Sequence, residues 1–486
     1  MINKSYLAIE ELVETIVDNR GKSVPTIDDI GIPLIATNCI KFSSIYPVFE
    51  NIRYISKEIY DNWFRAHIEP NDILFVNKGT PGRCCITPNP VNFVGAQDMV
   101  GLRFRKEYHP FYMLAVLRSK EIQETIQNNH VGLVIAHFRK QELVKLKLPI
   151  LDKYLRDYIG EFYKSISYKI ELNNKINAEL EAMAKTLYDY WFVQFEFPNS
   201  EGKPYKSSGG AMEYNSILKR EIPKGWEVET IGDLGRVIGG TTPSKAIPEN
   251  FTNDGIPWIT PKDLSINKGN KYIGKGEIDV SSKGFREASL NILPVGSVLM
   301  SSRAPVGYLA INRFECTTNQ GFKSIVCDNK KYSSEYVFYV LKQYMSTIEA
   351  NASGSTFKEI SANIFRSIKI VKPKESIVKD FIQKVVPIFK KQNNLEEQNQ
   401  ELAQLRDWLL PLLMNGQVKV EDTEEQVLGK VAVPSLDYEK VSAIKKVDSN
   451  EDRFELWLSN QKLAARGDID KVVLREIFDV MDDEDQ

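Results

Sequence analysis

Few residues in this 486-residue chain are spaced to do covalent chemistry. Gly21-Lys22-Ser23 has the look of the end of a phosphate loop, but position 16 is Ile where that loop needs its first glycine. The backbone cradle for phosphate cannot close without it. The segment reads instead as a polar turn, either beside a ligand backbone or on plain surface. The four histidines, at 67, 109, 130 and 137, fall at no metal-ligand spacing, and core or surface imidazoles are the plainer reading. No pair of carboxylates is marked out for acid–base work. No Pro-Pro pair occurs, which removes the Asn/Asp-Pro-Pro-Tyr/Phe motif of an adenine methyltransferase. Five cysteines, with Cys84-Cys85 vicinal and off zinc spacing, make neither a disulfide framework nor a metal site and point to a reducing cytoplasm.

The elements that carry these residues repeat at an offset of about 222 residues. Gly31-Ile32-Pro33-Leu34-Ile35 returns as Gly255-Ile256-Pro257-Trp258-Ile259, and Pro70 and Pro81 return as Pro294 and Pro305. Gly132 to Leu148 matches Gly354 to Ile370, with Phe138, Leu143, Leu146 and Leu148 on Ile360, Phe365, Ile368 and Ile370. Residues 1–151 read as a mixed α/β domain with strands at Pro33–Thr37, Ile73–Val76 and Met99–Phe104 and helices near Phe111–Ser119 and Ile122–Asn128. Residues 222–374 repeat the plan, with strands near Trp258–Thr260, Ser297–Ser301 and Ser324–Val326 and a helix near Glu335–Ile348.

Each copy runs into a long heptad-patterned helix. In 152–196 the seam falls at 155, 159, 162, 166, 173, 176, 180, 183, 187 and 190, with Asn173 and Lys169 as polar members. In 375–418 it falls at Phe381, Ile388, Leu395, Leu402 and Leu409, with Gln392 and Asn399 polar. Such spacing predicts a helix packed along another long helix. The repeat makes an intramolecular antiparallel pair with pseudo-twofold symmetry the simplest topology, against helices packed on their own domains or pairing between chains. Pro387 predicts a kink or a restart. The polar segment 197–221 reads as a surface linker.

The net charge of −2 hides an asymmetry. Residues 1–418 hold 53 basic and 47 acidic side chains, a net of +6, whereas 419–486 hold 10 and 18, a net of −8. A mildly basic body is compatible with nucleic acid, and equally with an ordinary solvated surface. No apolar run reaches the length of a membrane span and the N-terminus lacks a signal pattern, so a soluble cytoplasmic protein without membrane contact is expected.

Four stretches, in this order, resemble the specificity subunit of type I restriction–modification enzymes, the HsdS family. They are Trp191-Phe192 with Phe195-Glu196-Phe197-Pro198 and Ile222-Pro223-Lys224-Gly225-Trp226; Gly239-Gly240-Thr241-Thr242-Pro243-Ser244; Gly296 to Gly307 answered by Thr318-Asn319-Gln320-Gly321-Phe322; and Gly354-Ser355-Thr356-Phe357 followed by Leu405-Arg406-Asp407 and Leu409-Leu410-Pro411-Leu412-Leu413. The resemblance covers about 1–418, not the tail. The first domain departs from it, with Asn19-Arg20-Gly21-Lys22-Ser23 for the glycine-rich loop and Gly79-Thr80-Pro81-Gly82 opposite Arg303-Ala304-Pro305-Val306.

The resemblance implies an α/β (α+β) chain with two target-recognition domains on two long antiparallel coiled-coil helices. It implies a non-catalytic DNA-recognition subunit, without a cofactor of its own, that reads a bipartite, asymmetric double-stranded target. Its partners would be two methyltransferase subunits using S-adenosylmethionine on adenine and restriction/translocase subunits using ATP and Mg. A recognition chain with its own methyltransferase or nuclease activity, and a coiled-coil adaptor that binds only protein, remain the alternatives. Base reading needs Arg or Lys for guanine, Asn or Gln for adenine, and Ser or Thr as adaptable partners. Domain one offers Lys22, Asn38, Lys41, Lys78, Arg83, Gln97, Arg139 and Lys140. Domain two offers Thr242, Ser244, Lys245, Lys262, Ser301, Ser302, Arg303, Asn319, Gln320 and Lys358. Trp191, Phe192, Trp408 and Leu409 exceed what a two-helix seam buries and are expected to meet a partner subunit, or else the chain's own domains.

Overall fold

The computed structural model describes residues 4–19, 23–28, 30–129, 136–328, 330–354 and 358–417. These divide into two compact units, one holding residues up to Lys175 and from Gln398 onward, the other Ile176–Glu397.

In the first unit, Val13–Val17, Met99–Phe104, Ile73–Val76 and Cys84–Ile86 form an antiparallel sheet in that order. A second sheet places Ile32–Ile35 between Arg53–Ile55, antiparallel, and Val94–Gly95, parallel. Ser5–Ala8 pairs with Lys147–Ile150, closing the chain's start onto the segment before the long helix. The second unit repeats the order and sense. Gly235–Ile238, Ser324–Cys327, Val298–Ser302 and Val306–Asn312 form the larger sheet, and Tyr272–Ile273 is added parallel at its edge. Ile256–Ile259 lies between Ile278–Val280, antiparallel, and Thr317–Thr318, parallel, while Glu227–Thr230 pairs with Lys369–Lys372.

Alternation explains why the central strands are buried on both faces. In Ile73–Val76, Ile73 and Phe75 enter one core while Leu74 and Val76 enter another. Val298 and Met300 likewise face away from Leu299. Period-two geometry sends neighbouring side chains to opposite faces, and both faces are covered here. Several strands escape the sequence reading, among them Val13–Val17, Cys84–Ile86 and Val306–Asn312. The helix expected over Glu335–Ile348 breaks at Tyr344 into Ser334–Gln343 and Met345–Ala350.

The long helices span Lys153–Tyr188 and Glu375–Met414. Within each unit they run antiparallel. In the first, the buried Asn173 donates to the Asn399 Oδ1 at 2.9 Å, and Ile159 and Tyr163 share a core with Leu409 and Leu413. In the second, Gln392 donates to the Asn177 carbonyl at 3.2 Å, and the Tyr188 and Phe381 rings lie 5.8 Å apart. These polar seam contacts satisfy one another only in one register. Of the kink or restart expected at Pro387, the restart does not occur: one helix continues through it, with Val385, Ile388 and Phe389 buried beside it.

The linker expectation also needs correction. Met212–Asn215 and Arg220–Pro223 form a hairpin, and Phe197 is buried between Tyr205 and Trp226, at ring distances of 4.6 and 5.1 Å. Local polarity hid three aromatic anchors that find one another only in the fold.

A buried ionic cluster fixes the second unit's sheet to its helical part. The Glu396 carboxylate accepts the backbone N–H groups of Lys271 and Tyr272 at 2.7 and 3.0 Å and pairs with Arg313 at 3.1 Å. Lys271 reaches Glu181 at 2.6 Å and the Gln392 Oε1 at 2.7 Å, with its ammonium 3.5 Å from the Phe389 ring centre. Burial pulls that ammonium down to about 8 even with Glu181 in contact.

Because Arg313 and Glu396 are both almost wholly buried, Glu396→Leu takes the buried carboxylate from the guanidinium, which keeps Asn393 and Glu397, and takes their acceptor from the Lys271 and Tyr272 N–H groups. We expect it to lower the stability of this unit by about 3–5 kcal/mol, read from urea unfolding followed in the second unit. A pH dependence comes from Glu229. Burial pushes its carboxyl up to about 7 although the Tyr332 hydroxyl lies 2.7 and 2.8 Å from its oxygens. In the unfolded chain it ionises near about 4.3. Between those values the unfolded chain has released a proton that the fold keeps, so stability falls as pH rises through the window. Glu229→Gln should flatten that fall; equal pH slopes for the two proteins would contradict it.

Candidate nucleic-acid interface

In the second unit four loops meet at the ends of the strands. Gly240 lets the glycine-rich loop lie on Thr318–Asn319, since a Cβ there would sit 2.0 Å from the Thr318 oxygen. Thr241 N–H donates to that same oxygen at 3.0 Å, and the Thr242 hydroxyl donates to the Gln320 side-chain oxygen. Asn319 Oδ1 accepts from Gly321 N–H at 2.9 Å, shaping its own turn. Ser302 N–H then donates to the Gly321 oxygen at 2.7 Å, and Ile360 N–H to the Ser302 oxygen at 3.1 Å. Arg303 and Glu359 form the adjoining antiparallel bridge, with Arg303 Nη1 3.6 Å from the carboxylate.

The first unit builds the Ser302–Gly307 side of this junction from other side chains. Asn77 N–H donates to the Asp98 oxygen at 3.0 Å, Phe138 N–H donates to the Asn77 oxygen at 2.8 Å, and Lys78 bridges His137. Lys78 therefore stands where Arg303 stands. Gly79 and Ala304 both have positive φ, 87° and 53°, as do Gly82 and Gly307, at 91° and 102°. A Cβ on Gly82 or on Gly307 would strike Gln123 or Met345 at 2.7 Å, so the two turns press on the helices Lys120–Asn129 and Met345–Ala350. This corrects the sequence register, which set Gly79 against Arg303 and Pro81 against Pro305: the turns align one residue earlier.

Thr242, Arg303, Asn319 and Gln320 thus come together, and Pro261 packs beside Gly321 and next to Lys262. Lys262 is exposed and hydrogen-bonded to Glu277, which holds its ammonium above the usual range. Ser244, Lys245 and Lys358 are exposed on the adjoining loop segments. Ser301 and Ser302 are not available: both are fully buried. The Ser301 hydroxyl donates to the Pro305 oxygen and accepts from Tyr308 N–H, and the Ser302 hydroxyl accepts from Lys323. They hold the turn rather than face a ligand.

In the first unit, Lys78, Arg139 and Lys140 are exposed around the bridge, Arg83 and Gln97 half-buried. Lys140 pairs with Asp18 at 3.0 Å. Asn38 and Lys41 are held elsewhere, by the Glu50 oxygen and carboxylate respectively. Lys22 lies outside the described residues. Sequence reasoning missed Glu359 and Lys323; Glu359 was findable, because it falls opposite His137 in the repeat.

The expected partner-facing residues divide. Trp191 and Phe192 are buried, with Phe192 5.1 Å from the Phe381 ring and 5.2 Å from Tyr336. Asp189–Val193 forms a π turn that rotates both rings into the core, where the globular part supplies a third wall. Leu409 is buried in the first unit's core. Trp408 alone of the four is open, 64% exposed.

Comparison with known proteins fits this architecture. Residues 19–182 and 223–405 match the family described as type I restriction modification DNA specificity domain. The chain is 34% identical over 258 residues to the type I restriction enzyme MjaIX specificity subunit of Methanocaldococcus jannaschii, covering 50% of this chain and 57% of that one. It is 29% identical over 323 residues to the HindI specificity subunit of Haemophilus influenzae, covering 56% and 69%. The first of these matches thus spans little more than half of the relative's length. In fold, the chain is similar to a type I restriction–modification S subunit from M. genitalium, with a TM-score of 0.50 at 16% identity, covering 85% of this chain and 96% of that one. With both copies of the repeat matched, the chain belongs to the family of type I restriction modification DNA specificity domains.

Proposed function

We propose that this chain is the DNA-reading subunit of a type I restriction–modification complex, recognising two dissimilar half-sites separated by a non-specific gap. One observation carries the reading: around Ser302–Gly307 and Asn77–Gly82 the two units repeat two backbone bonds, one bridge and two positive-φ positions, yet present different side chains from them. A conserved scaffold with exchanged exposed groups suits two readers of different base sequence. Arg303 offers the fork that matches guanine, and Gln320 the amide that matches adenine. Lys78, Lys245 and Lys358 are exposed point charges of the kind that position phosphates, and Lys140 is a fourth, paired with Asp18.

The chain is a reader and scaffold rather than a catalyst. Two methyltransferase subunits carry S-adenosylmethionine and modify adenine, and restriction subunits supply the ATP- and Mg-dependent steps. Trp408 is the exposed aromatic best suited to a protein partner. No described helix is long and apolar enough to cross a membrane, in keeping with work on cytoplasmic DNA. The acidic stretch 419–486 lies outside the described residues.

Mapping adenine methylation genome-wide in the host, with and without this gene, tests the reading. A bipartite motif should vanish with the gene; recovery of one continuous site would refute it. Replacing 222–374 with the matching segment of a relative should change one half-site and spare the other. Arg303→Ala should cost about 1–3 kcal/mol of site affinity and relax one position, whereas Lys245→Ala should weaken all sequences alike and lower the salt slope by about one. Gly240→Ala forces a Cβ onto the Thr318 and Asn319 oxygens. It should cost about 1–3 kcal/mol of stability, and the Thr241 amide should lose its protection from hydrogen exchange.

A further inference from the structure

We infer that Glu359 is a positioning residue for DNA reading in the second unit, holding Arg303 for bases and withholding it and Lys323 from phosphates. The inference rests on the DNA-reading function proposed above.

The backbone under this carboxylate is fixed on both sides. Glu359 N–H donates to the Ser353 oxygen at 2.9 Å, and Ser353 N–H returns the bond at 3.1 Å. Ile360, next in the chain, is fully buried and bonded to Ser302. Arg303 follows directly from the strand Val298–Ser302 and bridges Glu359 in turn. From this base the carboxylate lies 3.6 Å from both Arg303 Nη1 and Lys323 Nζ. Lys323 is also tied to the Ser302 hydroxyl at 3.2 Å, and its side chain is only 12% exposed. Arg303 is more open, at 37%.

Two cations sharing one carboxylate would repel each other without it. At an interface whose ligand is a polyanion, an acid at this point has two consequences. It repels phosphate, so random DNA gains less from the two cations. It also restrains the guanidinium, whose fork reads a base only in a fixed orientation. Discrimination rises in both ways, the second by attraction and the first by repulsion. The first unit has His137 at the equivalent place, bridging Lys78. The two readers therefore differ in the charge placed behind their leading cation.

Glu359→Gln keeps the shape and the backbone bridge while removing the charge. Glu359→His installs the first unit's residue and serves as a second variant should the first fold poorly. Each would be assembled with its methyltransferase subunits and titrated with random-sequence duplex and with the mapped target duplex over a range of salt. We expect thermal midpoints unchanged and random-sequence binding with a salt slope steeper by about one to two. We expect discrimination at one base pair of one half-site to fall about tenfold. Unchanged slope and unchanged discrimination would make Glu359 an ordinary surface partner and overturn the inference. Loss of target affinity with the random-DNA slope unchanged would mean that Glu359 itself contacts DNA, which overturns it equally. Absence of any bipartite specificity in the wild-type complex would instead overturn the proposed function, and this inference with it.

Discussion

The second unit is organised around the Glu396 carboxylate. It accepts two backbone N–H groups, from Lys271 and Tyr272, and pairs with Arg313. Tyr272–Ile273 is the edge strand lying parallel to Val306–Asn312, and Arg313 is the first residue after that strand. The far end of the same strand is the Arg303–Gly307 turn. One strand therefore connects the point where the sheet is locked to the helix with the point where the candidate reading face begins. Burying these charges is unfavourable by itself and becomes tolerable only because each finds several partners. That requirement makes the seat of the sheet on the helix specific, in a way that apolar contact alone would leave slack.

The first unit solves the same problem with other chemistry. Its globular part and long helix meet through Tyr46 stacked on Tyr168, Phe111 edge-on to Tyr168, and a Ser44 hydroxyl 3.2 Å from Glu171. Arg118 gathers the carbonyls of Lys41, Phe42, Ser44 and Cys84, tying a loop to a strand. The backbone plan is common to the two units while the contacts that enforce it are not. The same division recurs at the candidate reading face, where two backbone bonds repeat and side chains differ. A scaffold held by main-chain hydrogen bonds can exchange its exposed groups without rebuilding, which suits the proposal of two readers on one plan.

Much of this was legible beforehand because it rests on periodicity. The seam of each long helix follows from residues seven apart, and Asn173, Gln392 and Asn399 fall inside it, as their spacing indicated. The strands Ile73–Val76 and Met99–Phe104 were visible as apolar runs. Short strands such as Cys84–Ile86 were not, because three residues carry no period and acquire their identity from the neighbour they pair with.

The sequence by itself determined the repeat, the heptad helices, the absence of familiar catalytic motifs and the family to which those patterns belong. These are properties of residue order, and they survive any arrangement of the chain. Tertiary structure alone decided which polar and aromatic groups are free. Ser301 and Ser302 spend their hydroxyls inside the turn, Trp191 and Phe192 are rotated inward by a π turn, and Trp408 is left open. It also decided that Lys78 answers Arg303, because backbone dihedrals and hydrogen bonds set that register where side-chain identity had diverged. The physical reason is common to all of them. Burial and pairing are relations between residues distant in the chain, and no residue carries the record of its partner in its own identity.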